Sequence, residues 1–300
     1  MTARYIAVLA ETRTSPGEWA AAREAEGWDG VAVSDHAFMG TQPLPHVWVT
    51  AAEMAGATSR ATIATCFANN LLRSPVEFAQ ASLALQRTSG GRFEAGLGAG
   101  WDQAEMEAIG LTFPADVGER AGRYIEAGRV VRALFDDRTL AFTGRWYELQ
   151  VPAIGPDVVS PPLVVSVGGK RTTAALAPIA DIVEVKLPGF ATTGKGPLHV
   201  RSLRAVTLAE VAERLDEVRA LNPSAVPALF VNVGCGNDPL VHTMRGALAG
   251  SFSEHLYGDP AEVADMLGQL AGLGARRITL GALTDTSYRL LAPALAAGRG

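Results

Sequence analysis

The stretch Arg92-Phe93-Glu94-Ala95-Gly96-Leu97-Gly98-Ala99-Gly100-Trp101 decides how the rest of the chain is read. It follows Ser89-Gly90-Gly91, which ends a long helical pattern, and runs as a short apolar strand into three glycines at alternate positions. Side chains alternate across a strand, so Gly96, Gly98 and Gly100 leave one side of its end bare. Something flat or bulky can then lie against the backbone. The same spacing suits a crowded barrel interior, where small residues let the layers fit, and spacing alone favours that plainer reading.

Outward from this strand the chain alternates. Apolar runs at Tyr5–Ala10, Gly30–Ser34, Ala61–Phe67, Leu163–Val167, Asp181–Val185, Ala228–Val233 and Arg276–Leu280 read as strands. Helical patterns separate them: Pro16–Ala25, Pro45–Thr58, Pro75–Thr88, Asp116–Phe135, Lys170–Ala177, Leu208–Leu221, His242–Leu256 and Pro260–Leu273, with Ser287–Ala297 closing the chain. Eight short strands, hydrophobic on both faces and separated by helices, call for parallel βαβ crossovers. The expected fold is α/β, a single (β/α)8 TIM barrel over residues 1–300, because the count closes at eight and no linker divides the chain. A doubly wound open sheet is the rival. Thr139–Leu149, with Gly144 at its centre, predicts a small β-hairpin inserted before the fifth strand, outside the barrel.

Composition narrows the function. With 48% hydrophobic and 19% charged residues, a chain of 300 residues supports a large core. A net charge of −5 and the lack of any basic run argue against nucleic acid as a partner. Cys66 and Cys235 stand far apart, outside any CxxC or Cys/His cluster, so neither a metal site nor a disulfide is expected. No apolar run reaches membrane-spanning length and the start shows no signal-peptide core, so a cytoplasmic protein acting on a small molecule is expected.

In a barrel of this kind the chemistry sits at the C-terminal ends of the strands. His36 ends the second strand, where an imidazole gives or takes a proton near neutral pH, and Asp35 beside it would stabilise the charged ring. Strand-end position alone is equally met by a histidine that ties down its loop. Gly168-Gly169 leads into a helix whose free N–H groups could meet an anion, although an isolated glycine pair also makes an ordinary tight turn. Lys186 ends the sixth strand, where a desolvated amine could form a Schiff base as in a lyase, but most such lysines are rim charges. Trp48, Trp101 and Trp146 are candidates for a pocket wall, and equally for rim packing.

The phrase from Leu85 to Glu105, LQRTSGGRFEAGLGAGWDQAE, resembles the signature of the luciferase-like flavin and deazaflavin oxidoreductases. The resemblance implies a barrel enzyme that binds its cofactor at the strand ends. Ser34-Asp35-His36 is similar to a motif of the F420-dependent branch, in which the histidine faces the reacting edge of the deazaflavin. Cys66-Phe67 falls where the family carries a bulge with a non-prolyl cis peptide behind the ring, and Asn69-Asn70 matches a following family segment. Val167-Gly168-Gly169 would hold the cofactor phosphate, with Gly98 and Gly100 beside the ring. Lys195, in Thr192-Thr193-Gly194-Lys195-Gly196, locally resembles a substrate-phosphate loop and joins Trp48 and Trp101 as a substrate-pocket residue. F420 is the expected cofactor and FMN the alternative, which would make the chain a monooxygenase. Ala99 stands where bacterial luciferases place an FMN-phosphate arginine, a role Arg171 could take over. A homodimer is an expected assembly.

Overall fold

A computed structural model describes residues 3–9, 14–187 and 200–298. Among these, eight parallel strands close into a barrel. They are β1 (Arg4–Val8), β2 (Gly30–Val33), β3 (Thr62–Thr65), β4 (Phe93–Gly98), β5 (Leu163–Val167), β6 (Ile182–Val185), β7 (Val226–Cys235) and β8 (Arg277–Ala282). Each pairs with its neighbours in sequence, and β8 returns to β1 through Arg4↔Arg277 and Tyr5↔Ile278. The open-sheet alternative is excluded, because β4 and β5 are themselves joined through Ala95↔Leu163 and Leu97↔Val165.

The outer layer is built by α1 (Pro16–Ala25), α2 (Val47–Ala57), α3 (Pro75–Thr88), α4 (Val117–Asp137), α5 (Lys170–Leu176), α6 (Leu208–Leu221), α7 (Pro260–Gly272) and α8 (Asp285–Ala297). Local chemistry starts them where expected. Ser15 and Ser74 cap α1 and α3 just ahead of a proline, and Asp116 accepts from the Glu119 N–H at the start of α4. The hairpin forms between Leu140–Thr143 and Glu148–Val151 and shares no strand pairing with the barrel. The helical pattern His242–Leu256 is interrupted. A helix over Pro239–Ala247 ends ahead of Gly250, whose φ of +80° leaves the right-handed region, and a 3-10 turn over Phe252–Leu256 follows. Small elements with too few residues to show periodicity also occur, among them Phe38–Met39 paired with Gln42–Pro43 and a helix over Gln103–Ala108.

Alternation along the strands divides the core. Tyr5, Ala7, Val31, Ile63 and Leu97 face the helices, whereas Ile6, Val8, Ala32 and Ala64 face the barrel axis. Below the open end, the axis carries charge. Arg277, only 1% exposed, donates to Glu94 at 2.7 Å and to Glu184 at 2.9 Å, and Arg4 donates to the other Glu94 oxygen at 2.7 Å. Thr279 completes the network through its contact with Glu184.

Candidate active site

The glycines of β4 are explained by what lies beside them. Strand β3 pairs with β4 through Ile63↔Phe93 and Ala64↔Glu94, and the chain pairs again through Ala68↔Leu97 and Asn69↔Gly98. The offset falls from thirty to twenty-nine residues between the two pairings, so one extra residue is accommodated in a bulge spanning Thr65, Cys66 and Phe67. The Cys66–Phe67 peptide is cis, as the family resemblance implies. The bulge occupies the space that side chains on β4 would need. A Cβ at Gly96 would lie 1.9 Å from the Thr65 carbonyl oxygen, and one at Gly98 would lie 2.8 Å from the Phe67 Cβ. The Thr65 hydroxyl replaces the lost ladder contacts, accepting from the Gly96 N–H at 2.9 Å and donating to its carbonyl at 2.8 Å. The bare side of the strand thus seats protein first, and the bulge in turn forms a platform in the open end of the barrel.

That platform is part of the wall of a cavity of about 640 Å³. Cys66, Phe67, Gly98 and Phe230 give it an apolar floor, Trp101 and Met39 stand at one side, and Gly168, Gly169, Lys170 and Arg171 stand at another. His36, Asn69, Gly100 and Lys186 also reach it. Burial pushes the Cys66 thiol well above its ordinary range, so this sulfur is an apolar contact rather than a nucleophile. Tyr124, on α4, ties the two strands behind the cavity: its hydroxyl donates to the Leu97 carbonyl and accepts from the Ser166 N–H.

His36 is held by a residue from another element. Its Nδ1 lies 2.7 Å from Glu105 Oε2, and the Ala37 N–H donates to the other Glu105 oxygen. Glu105 is buried, with 1% of its side chain exposed, against 12% for His36. It sits on the helix Gln103–Ala108, whose first turn is fixed by Asp102 accepting the Glu105 N–H at 3.1 Å. Trp101 stands edge-on to the imidazole at 5.5 Å.

Several expectations are corrected by this geometry. Asp35 reaches the cavity wall but does not serve His36. It takes both ends of the Arg73 guanidinium at 2.9 and 3.0 Å and accepts the Asn69 N–H at 2.9 Å, anchoring the segment after the bulge. Trp48 is absent from the cavity wall. Its indole N–H donates to Glu77 while its ring lies under Arg73 at 5.8 Å, so it supports the Asp35–Arg73 pair from behind. Trp146 packs into the space left by Gly122 on α4. Val167 is fully buried among the helix-facing residues, since its neighbours Ser166 and Gly168 take the inward positions. Lys195 lies outside the described residues. Glu105 ends the Leu85–Glu105 phrase, and its pairing with His36 across sixty-nine residues leaves no local signal in the sequence.

A family model for the luciferase-like monooxygenases matches residues 8–220. The chain belongs to that family. Among its relatives, the F420-dependent glucose-6-phosphate dehydrogenase of Kineococcus radiotolerans is 31% identical over 188 residues, covering 60% of this chain and 52% of that protein. The enzyme of the same name from Amycolatopsis mediterranei is 31% identical over 187 residues, 60% of this chain and 53% of its own length. The chain thus spans about half the length of the curated relatives it matches. Among solved structures, an F420-dependent secondary alcohol dehydrogenase in complex with an F420-acetone adduct superposes with a TM-score of 0.75 at 19% identity, covering 98% of this chain and 99% of the other. The monooxygenase RslO1 from Streptomyces bottropensis gives 0.75 at 17% identity, covering 99% and 100%. Both share the luciferase-like barrel. Among the described residues no group of three or more His, Cys, Asp or Glu is placed to hold a metal, and no helix is long and apolar enough to cross a membrane.

Proposed function

We propose that this chain is an F420-dependent oxidoreductase that moves a hydride to or from a small organic substrate, with His36 as its proton carrier. The observation that carries the reading is the meeting, in one cavity, of the bulge at Cys66–Phe67 with an imidazole held through Nδ1 by a buried carboxylate. Membership of the luciferase-like family supports a redox enzyme, and the two F420-dependent relatives support the deazaflavin.

The residues fit such a cofactor. A planar ring needs a flat apolar support, which Cys66, Phe67 and the side-chain-free Gly98 provide, and its phosphate needs cations, which Lys170 and Arg171 bring to the cavity beside Gly168 and Gly169. When bound, the deazaflavin supplies the hydride chemistry. The protein supports the ring, holds the substrate against it, and moves a proton at His36 Nε2. Glu105 fixes the orientation of the imidazole through Nδ1 and lies where its negative charge balances the imidazolium formed during the reaction. Trp101 covers the imidazole edge and narrows the approach of water.

With Arg171 at the cavity to take the part of an arginine at position 99, the phosphate alone does not separate F420 from FMN in this reading. The test is a paired fluorescence titration with F420 and FMN at fixed salt. Tighter F420 binding is expected. Equal or tighter FMN binding, with oxygen consumed when reduced FMN is supplied, would place the chain among the monooxygenases instead.

A further inference from the structure

The barrel axis leaves one cation without a hydrogen-bonded counter-charge. Three basic side chains point inward among the described residues: Arg4, Arg277 and Lys186. Two carboxylates face them: Glu94 is engaged by Arg4 and Arg277, and Glu184 by Arg277 and Thr279 through Oε2 alone, its Oε1 being left without a hydrogen bond. Lys186, the last inward residue of the β6 face, reaches the cavity floor. No described residue gives its ammonium a hydrogen bond or an ion pair. Its nearest electrostatic neighbours are Cys66, across the axis on the bulge, and Glu184 two residues below. Burial lowers its pKa, the expected response of an amine that has lost water and gained no acid. Lys186 is half-buried at the cavity floor, so its ammonium is open to a ligand oxygen that carries negative charge.

We propose that Lys186 binds an oxygen on the edge of the bound deazaflavin ring and holds that oxygen in its anionic form. The proposal rests on the cofactor reading above, in which the ring lies on Cys66 and Phe67. In the order of strands β6 stands opposite β2, so Lys186 and His36 lie across the mouth from each other. An oxygen at Lys186 therefore belongs to a part of the ring away from the reacting edge. Two oxygens have the required chemistry: the ring hydroxyl, which ionises in the oxidised cofactor, and the pyrimidine carbonyl, which takes up negative charge on reduction. FMN offers only the second, having methyl groups where the deazaflavin has its hydroxyl. A cation at this edge tunes the electronics of the ring without touching the hydride. The other charged groups around the cavity are committed elsewhere or lie at its rim: Glu184 with Arg277 beneath, Asp35 with Arg73, His36 with Glu105, and Arg120, Lys170 and Arg171 above.

The test compares the wild-type protein with Lys186→Met, Lys186→Gln and Lys186→Arg, each loaded with F420. The absorbance of the bound oxidised cofactor is followed against pH, and its reduction potential is measured in parallel. If the hydroxyl is the partner, it should ionise about tenfold to a thousandfold more readily in the wild type than in free F420, the effect a close opposite charge produces. The arginine variant should keep that effect, and the methionine and glutamine variants should lose it. If the pyrimidine carbonyl is the partner, ionisation of the hydroxyl is unchanged but the potential falls in the methionine and glutamine variants. Unchanged spectra and potentials in variants that still bind F420 overturn the proposal, and so does a loss confined to substrate affinity. Failure of the wild type itself to bind F420 removes the cofactor reading, and this proposal with it.

Discussion

Of the two nitrogens of a histidine, the one that faces the reaction is decided by what holds the other. Glu105 holds His36 Nδ1 at 2.7 Å, which leaves Nε2 for the cavity. Replacing His36 with Asn should therefore slow turnover by about 10²–10⁴, the range for a general acid or base, while F420 affinity stays within a few-fold. Glu105→Gln should slow turnover by about tenfold to a hundredfold, the scale known for carboxylates that orient metal-bound histidines. Single-turnover kinetics alongside cofactor titration separates the two quantities. A Glu105→Gln enzyme with full turnover would show that the carboxylate serves only the fold. The place of His36 at the cavity was legible in the chain, because Ser34-Asp35-His36 is a local motif at a strand end. The partner was not. Asp35 is adjacent in sequence, but consecutive side chains at a strand end point to opposite sides, so adjacency led to the wrong carboxylate. The right one arrives on a six-residue helix after β4, too short to carry a period of its own.

At the scale of the element, the fit between β4 and the bulge should be measurable by adding one methyl group. In Gly96→Ala the new Cβ meets the Thr65 carbonyl oxygen, a backbone atom that cannot swing away. Overpacking of this kind typically costs about 1–3 kcal/mol and shifts the neighbouring backbone. Both stability and cofactor affinity should fall, because the segment displaced is the platform itself. The matched control is Gly268→Ala on α7, where a Cβ meets nothing within 4 Å. That change should stabilise the protein by about 0.5–1 kcal/mol through helix propensity and leave binding untouched. Denaturant midpoints and F420 titrations on both variants decide the matter, and a Gly96→Ala protein as stable as the wild type would contradict the packing account. The glycine stripe could be read as a bare surface from the sequence alone. What fills it could not, because the filler is a bulge on another strand whose register is set only when the two strands pair.

At the scale of the whole molecule, the barrel carries a charged network through its axis, and Arg277 is its centre. Arg277 connects β8 to β4 and β6 through Glu94 and Glu184, at 1% exposure of its own side chain. No strand-level pattern announces such a network, because Glu94 and Glu184 each look like a single polar interruption in an apolar run and Arg277 like half of a charged pair at a strand start. Removing only the arginine, in Arg277→Met, leaves Glu94 with Arg4 and Glu184 with Thr279, and should cost about 3–5 kcal/mol at neutral pH. The deficit should also depend on pH in a defined direction. Burial already raises the Glu184 pKa against the opposing pull of Arg277, Thr279 and Lys186, and loss of the arginine raises it further. Burial likewise opposes ionisation of Glu94, which Arg277 and Arg4 at present hold below its ordinary value. A carboxyl whose folded pKa is raised keeps its contribution to stability below the unfolded value and loses it as pH rises through the folded one. The variant should thus approach the wild type near pH ~4–5 and fall progressively behind it toward pH ~8. Urea midpoints of both proteins across that range give the difference directly, and a deficit that stays constant would show that Arg277 acts by packing rather than charge. Adding Glu94→Leu and Glu184→Leu to Arg277→Met removes the stranded carboxylates and should recover most of the loss, since a buried ion cluster is commonly no more stabilising than well-packed apolar residues of similar size. Arg4, 40% exposed at the N-terminal end of the barrel, away from the cavity, can turn to solvent once Glu94 is gone. Lys186 would then face an interior without any acid, and its pKa, already lowered by burial, should fall further because Glu184 no longer supports its charge.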